Sequence, residues 1–217
     1  MAKNLLTLDG LTNKLSEELA WRRKELTLIK NKIPTKKSAM QAAFLRSAVP
    51  LLYAHWEGFV KVTLSSYLEY VSNKHLKNNE LKYPFLALSL QNTIGQLEMN
   101  SIINKTKIIE TLLTDYTKRS NLPKKNIINT KSNLKFDVFQ EILLILNLED
   151  PHFTSKKDLI NDLVDMRNYI AHGEYLNVDY DLYNVFHTDI IALLENIKTK
   201  IENNALSEEY KIKINEN

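Results

Sequence analysis

Residues 38–76, SAMQAAFLRSAVPLLYAHWEGFVKVTLSSYLEYVSNKHL, decide the fold class of this chain. Apolar residues recur there every three or four positions, which is the period of an α-helix with one buried stripe. The run is far longer than an ordinary globular helix. Pro50 lies inside it. Proline cannot donate to the carbonyl of Arg46, so a kink or break is expected at that point. A helix of this length needs neighbours along most of its surface, and the sequence on either side supplies them.

Upstream, Leu11, Leu15, Leu19, Arg22, Leu26 and Ile29 step by three or four residues and predict a first amphipathic helix that ends near Pro34. Downstream, a shorter helix follows Pro84 (FLALSLQNTIGQL) and another covers about 101–118. Arg119 to Lys135 reads as a loop, and FDVFQEILLILN predicts a helix over about 136–147. Pro151 marks the next turn. Ser155 is the expected N-cap of the following helix, with Asp158 in the capping-box position. That helix carries Leu159, Leu163, Met166 and Ile170 as its stripe and stops at Gly173. The last helix is expected from Asp179 to about Ala205. The reading is one all-α domain over 1–206, a bundle around a long kinked central helix. The tail 207–217 is expected to fray or pair weakly.

Composition fits this. The 217 residues are enough for a sizeable core without metals or disulfides. A hydrophobic share of 44% with 25% charged residues is that of a soluble globular chain. No cysteine is present, which removes disulfide scaffolds, zinc–thiolate sites, iron–sulfur clusters and thiol nucleophiles. Only 4 glycines and 5 prolines argue against phosphate-cradling glycine loops. His75, His152 and His187 lack metal-ligand spacing, so neither a metal nor another cofactor is expected. No segment has the length of a membrane span, and MAKNLLTLDG lacks the apolar run of a signal peptide, so a cytoplasmic location is expected.

The residues that carry chemistry lie at the end of the helix that follows Ser155: Arg167-Asn168-Tyr169-Ile170-Ala171-His172-Gly173. Arg167 is one of five arginines in a chain that otherwise uses lysine. His172 stands just before the glycine stop, where the partial negative charge of a helix C-terminus favours imidazolium. Asn168 is four residues earlier on the same face and could orient the ring or a phosphate. Arg167 is five residues earlier, about 140° around the helix. Within one chain the two side chains therefore need not share a partner atom, whereas a cleft between two copies would collect both pairs.

Arg-Asn-x-x-Ala-His at the end of a bundle helix resembles the signature of the HEPN superfamily. The segment Tyr53-Ala54-His55-Trp56-Glu57-Gly58-Phe59-Val60-Lys61 resembles the second-helix motif of its MAE-type standalone bacterial branch. The resemblance implies an α-helical protein that dimerises with its Arg–His helices facing each other. It also implies a metal-independent endoribonuclease of a toxin–antitoxin or phage-defence system. Arg167, Asn168 and His172 are the matching positions, and an operon-encoded antitoxin or defence partner would go with them.

The chemistry agrees with these residue types. RNA brings its own nucleophile, the 2′-hydroxyl. Histidine serves as base or acid, and arginine offers fork-shaped donors to phosphate oxygens. The expected products are a 2′,3′-cyclic phosphate and a 5′-hydroxyl. Tyr169 and Tyr175 flank the motif and could stack on bases. Residues 118–135 contain Lys118, Arg119, Lys124, Lys125, Lys131 and Lys135 with no acid, and residues 22–37 carry seven basic side chains against Glu25. Both could track phosphates. Glu57 is a further candidate for the cleft, although a structural role suits it better. Tyr53, Trp56 and Phe59 read as core, and His55 as a packed, hydrogen-bonded histidine. The competing reading is a non-catalytic adaptor subunit of a defence complex that uses the same face to hold a nucleotide, RNA or protein. A third is a toxin whose Tyr or Lys near the motif is capped by a partner enzyme.

Overall fold

Ser38 starts the central helix by accepting the Gln41 N–H on its Oγ at 3.1 Å. In this computed structural model, which describes residues 6–95, 101–123 and 127–213, the helix then runs from Ala39 to Ser72 (α2). At 34 residues it is about 50 Å long. It stays helical through Pro50, so of the kink or break expected there the break does not occur. The reason is tertiary. The first helix, Leu8–Lys32 (α1), and two later ones, Lys157–Ala171 (α7) and Tyr180–Leu206 (α8), all pack along α2. Burial continues along it from Leu45 to Val71 and outweighs the one hydrogen bond lost at Pro50.

The remaining helices are Tyr83–Ile94 (α3), Ile102–Asp115 (α4), Phe136–Ile145 (α5) and Pro151–Thr154 (α6). Among the described residues there is no strand, only isolated bridges between Lys77 and Arg119 and between Leu81 and Lys211. The fold is therefore all-α. The core centres on Trp56, whose ring meets Phe139 edge-on at 5.0 Å, and Phe139 meets Phe153 in turn at 5.6 Å. Phe59 is also fully buried.

The start of α7 differs from expectation. Asp150 and Pro151 open the short α6 instead, with Asp150 Oδ1 accepting the His152 N–H at 3.0 Å. Ser155 follows that turn, and its hydroxyl donates back to the His152 carbonyl at 2.7 Å. Ser155 is thereby the C-cap of α6, and Lys156 takes the N-cap position of α7, which begins at Lys157 without a side-chain cap. An Asp–Pro pair is the stronger start signal, and it captures the serine.

Of the two outcomes expected for the tail, its described part, residues 207–213, shows the pairing one. Tyr210 is fully buried against Tyr70, with ring centroids 6.1 Å apart. Its carbonyl accepts the Lys82 N–H, and the Ile212 N–H reaches the Glu80 carbonyl, both at 2.9 Å. One large aromatic side chain thus docks the segment that its polar neighbours leave unanchored.

Candidate functional site

The end of α7 is built as the glycine stop predicts. His172 is the C-cap and Gly173 has φ +79°. The Gly173 N–H bonds to the Ile170 carbonyl at 3.1 Å and the Glu174 N–H to the Tyr169 carbonyl at 3.0 Å. This pair of bonds is a complete Schellman motif. It turns the chain sharply away and leaves the His172 side chain exposed at the helix end.

Asn168 and His172, one turn apart, line a cavity of about 350 Å³ with Asp165, Tyr169 and Glu174. Tyr169 is half exposed. Tyr175 projects beyond the cavity at 83% exposure and is backed by Arg46, whose guanidinium lies 5.6 Å from its ring centre. Arg46 also donates to the carbonyls of Glu174 at 3.0 Å and Leu176 at 3.2 Å. An α2 side chain therefore clamps the segment that follows His172.

Arg167 faces α2 instead. Its guanidinium carbon lies 4.1 Å from the centre of the Tyr53 ring. Its Nη2 donates to the Ser132 carbonyl at 3.0 Å and to Asn133 Oδ1 at 3.3 Å. Asn133 Oδ1 also accepts from Asn168 Nδ2 at 3.4 Å. The single Asn133 side chain thus joins the arginine side of the motif to the histidine side. Among the described residues no carboxylate pairs with Arg167, whereas Arg22 pairs with Glu18 at 2.9 Å and Arg23 with Glu195 at 2.8 Å. Arg167 does not line the His172 cavity, an arrangement the 140° separation allows.

Tyr53 is buried, as the helical stripe predicts, and it also bears on the site. Its hydroxyl accepts the Leu134 N–H at 2.8 Å. Burial pushes the phenol above its ordinary pKa, with the charge of Glu57 one turn along adding to the effect, so the ring stays neutral. Glu57 itself is half-buried on α2 and does not line the His172 cavity.

The expected phosphate tracks are only partly available. Lys118 pairs with Asp115 at 2.6 Å, Lys131 with Glu141 at 2.9 Å and Lys135 with Asp165 at 2.8 Å. Lys124 and Lys125 lie outside the described residues. In the 22–37 stretch, Arg22 is buried and sits 3.0 Å from where a Cβ on Gly58 would be. His55 is the packed histidine expected, with Nε2 2.8 Å from Glu25 Oε2 and its ring 5.1 Å from Trp21. Trp56, Gly58 and Phe59 of the second motif therefore serve packing, and Tyr53 alone among its aromatics reaches the Arg–His end of the molecule.

Sequence reasoning missed Asn133, Ser132, Arg46 and Glu174 as parts of this region. Arg46 carried a usable signal, as another of the rare arginines. Asn133 and Ser132 carried none, since nothing in a loop sequence fixes which helix it will lie against.

A family model described as RiboL-PSP-HEPN matches residues 17–203. No curated protein and no solved structure matches the chain.

Proposed function

The chain belongs to the RiboL-PSP-HEPN family of the HEPN superfamily, and from that membership we propose that it is a metal-independent endoribonuclease. One observation carries this reading. A solvent-exposed histidine and an asparagine share a cavity at a helix C-terminus, beside an arginine with no carboxylate counter-charge. His172 exchanges the protons, Arg167 stabilises negative charge on the phosphorane, and Asn168 orients the histidine or the phosphate. The 2′-oxygen attacks phosphorus and its proton passes to a neutral imidazole. The P–O5′ bond breaks, and the leaving oxygen takes a proton from an imidazolium. The products are a 2′,3′-cyclic phosphate and a 5′-hydroxyl.

The reading includes a homodimer with α7 facing α7, in which Arg167 of one copy and His172 of the other serve the same phosphate. Tyr169 and Tyr175 are suited to stack on bases across that cleft. The biological setting in this reading is a toxin–antitoxin or phage-defence system in the cytoplasm, with an operon-encoded partner. Among the described residues no helix is long and apolar enough to cross a membrane.

The test is incubation of the purified protein with total RNA in EDTA, beside His172→Ala. Removing a general acid–base group should cost about 10²–10⁴ in rate. His172 is exposed and its cap bonds are made by backbone, so the thermal midpoint should hold. Equal cleavage by the two proteins would remove the proposal. A second reading, a binding or adaptor subunit, draws on Asp165 and Glu174, which line the cavity and oppose a polyanion. A folded wild type that neither retains nor cleaves RNA would favour it.

A further inference from the structure

Among the described residues, Arg167 is held entirely by neutral groups. Its Nη2 bonds to a backbone carbonyl and to an amide oxygen, and its guanidinium carbon lies over the ring of a neutral phenol. Its Nε is shut off from solvent without a hydrogen-bond partner. A partly buried guanidinium without a counter-ion is a costly arrangement for stability alone, since a carboxylate at the same place would compensate the charge. The surroundings show how readily this protein makes such pairs. Lys131 and Lys135, on either side of Ser132 and Asn133, each hold a carboxylate.

The segment that supplies the neutral acceptors is itself firmly placed. Lys131 and Ser132 both adopt left-handed backbone, at φ 52° and 55°, a conformation that non-glycine residues take only where their surroundings enforce it. Leu134 is fully buried with its N–H on the Tyr53 hydroxyl. The Phe136 N–H bonds to Asn161 Oδ1 of α7 at 3.0 Å. Residues 131–136 are thus fastened to α2 at one side and to α7 at the other, with Asn133 between them.

We propose that Asn133 and Tyr53 are positioning residues that keep the Arg167 charge uncompensated and its fork aimed, with Nη1 left to an incoming phosphate. Asn133 acts through Arg167 and Asn168 and touches no reacting atom. The inference rests on the ribonuclease reading for its rate consequences, but its electrostatic content is testable without turnover.

Two substitutions at one position separate charge from scaffold. Asn133→Asp keeps an acceptor of the same shape and adds a carboxylate against Arg167. Asn133→Ala removes the acceptor and adds no charge. A merely structural asparagine makes Ala the worse change in every measurement. The proposal expects Asp to match or exceed Ala in thermal midpoint and to fall below it in function.

The first probe is a 2′-O-methyl oligoribonucleotide, which lacks the nucleophile. Asn133→Asp should bind it more weakly than Asn133→Ala, with a log–log salt slope shallower than wild type by ~0.7, one phosphate contact on a single strand. In the cleavage assay Asn133→Asp should lose about tenfold or more. Should Asn133→Asp fail to fold, Tyr53→Phe and Tyr53→Leu decide in its place, with affinity kept by the aromatic ring and lost with leucine. Binding and cleavage by Asn133→Asp at or above the Asn133→Ala level overturn the proposal. A wild type that binds the oligomer but cleaves no RNA removes the ribonuclease reading and leaves the positioning role standing on affinity. A wild type that does neither overturns both.

Discussion

The Arg167 guanidinium rests on the Tyr53 ring, 4.1 Å from its centre, across the contact between α7 and α2. The two halves of the sequence motif are therefore one physical object. The tyrosine that begins the second-helix segment is the surface on which the arginine of the Arg–His helix lies.

Arg167→Lys should abolish most cleavage while leaving a folded protein. A lysine keeps the charge but cannot span Ser132 and Asn133 while presenting a second donor, and it stacks less well on the ring. Loss of the fork and the stacking should cost about 1–2 kcal/mol, a fall of roughly 2–8 °C in thermal midpoint for a chain of this size. Cleavage within twofold of wild type would mean that only the charge matters.

Gly173→Ala should destabilise by about 1 kcal/mol. Nothing lies within 4 Å of the added Cβ, so crowding plays no part and the cost comes from φ +79° alone. Gly173→Asn should cost less, because asparagine tolerates the left-handed region better. Equal midpoints for glycine and alanine would contradict this account of the helix stop.

Arg46→Ala should loosen the segment after His172. It removes two bonds to carbonyls and the backing of Tyr175. Hydrogen exchange at the amides of Glu174 to Asn177 should speed selectively, with the core of α2 unchanged. Uniform acceleration along α2 would show instead that Arg46 supports the helix around Pro50.

Acidification below neutrality should destabilise the fold through His55 and His187. Burial lowers both imidazole pKa values from 6.5. For His55 it outweighs Glu25, which is half exposed and so screened by solvent. For His187 the charge of Lys30 acts in the same direction as burial. Below the unfolded-state value the unfolded chain binds more protons, so stability is fully present above about pH 6.5 and is lost as pH falls through the window beneath it. Denaturant midpoints from pH 7.5 to 5 should fall for wild type. The slope should flatten in His55→Gln and again in His55→Gln/His187→Gln. A wild-type slope unchanged by both substitutions would refute the assignment.

Sequence alone determined what local physics determines. The 3.6-residue stripe of Leu11 to Ile29, the helix start near Ser38 and the Gly173 stop all depend on residues within a few positions of each other, and all appear where expected. The 140° between Arg167 and His172 follows from helix geometry, so their separation within one chain was legible too. Tertiary structure decided everything that depends on competition or on distant partners. Pro50 stays in a helix because burial on three neighbours exceeds one hydrogen bond. Ser155 caps nothing at α7 because Asp150 and Pro151 start an earlier turn. Tyr210 docks a segment whose polar composition left fraying and weak pairing both open. Above all, the pairing of Asn133 with Arg167 and Asn168 joins positions about 34 residues apart through a loop held in left-handed backbone. No periodicity encodes such a contact, because its position is set by the packing of α2, α5 and α7 around it.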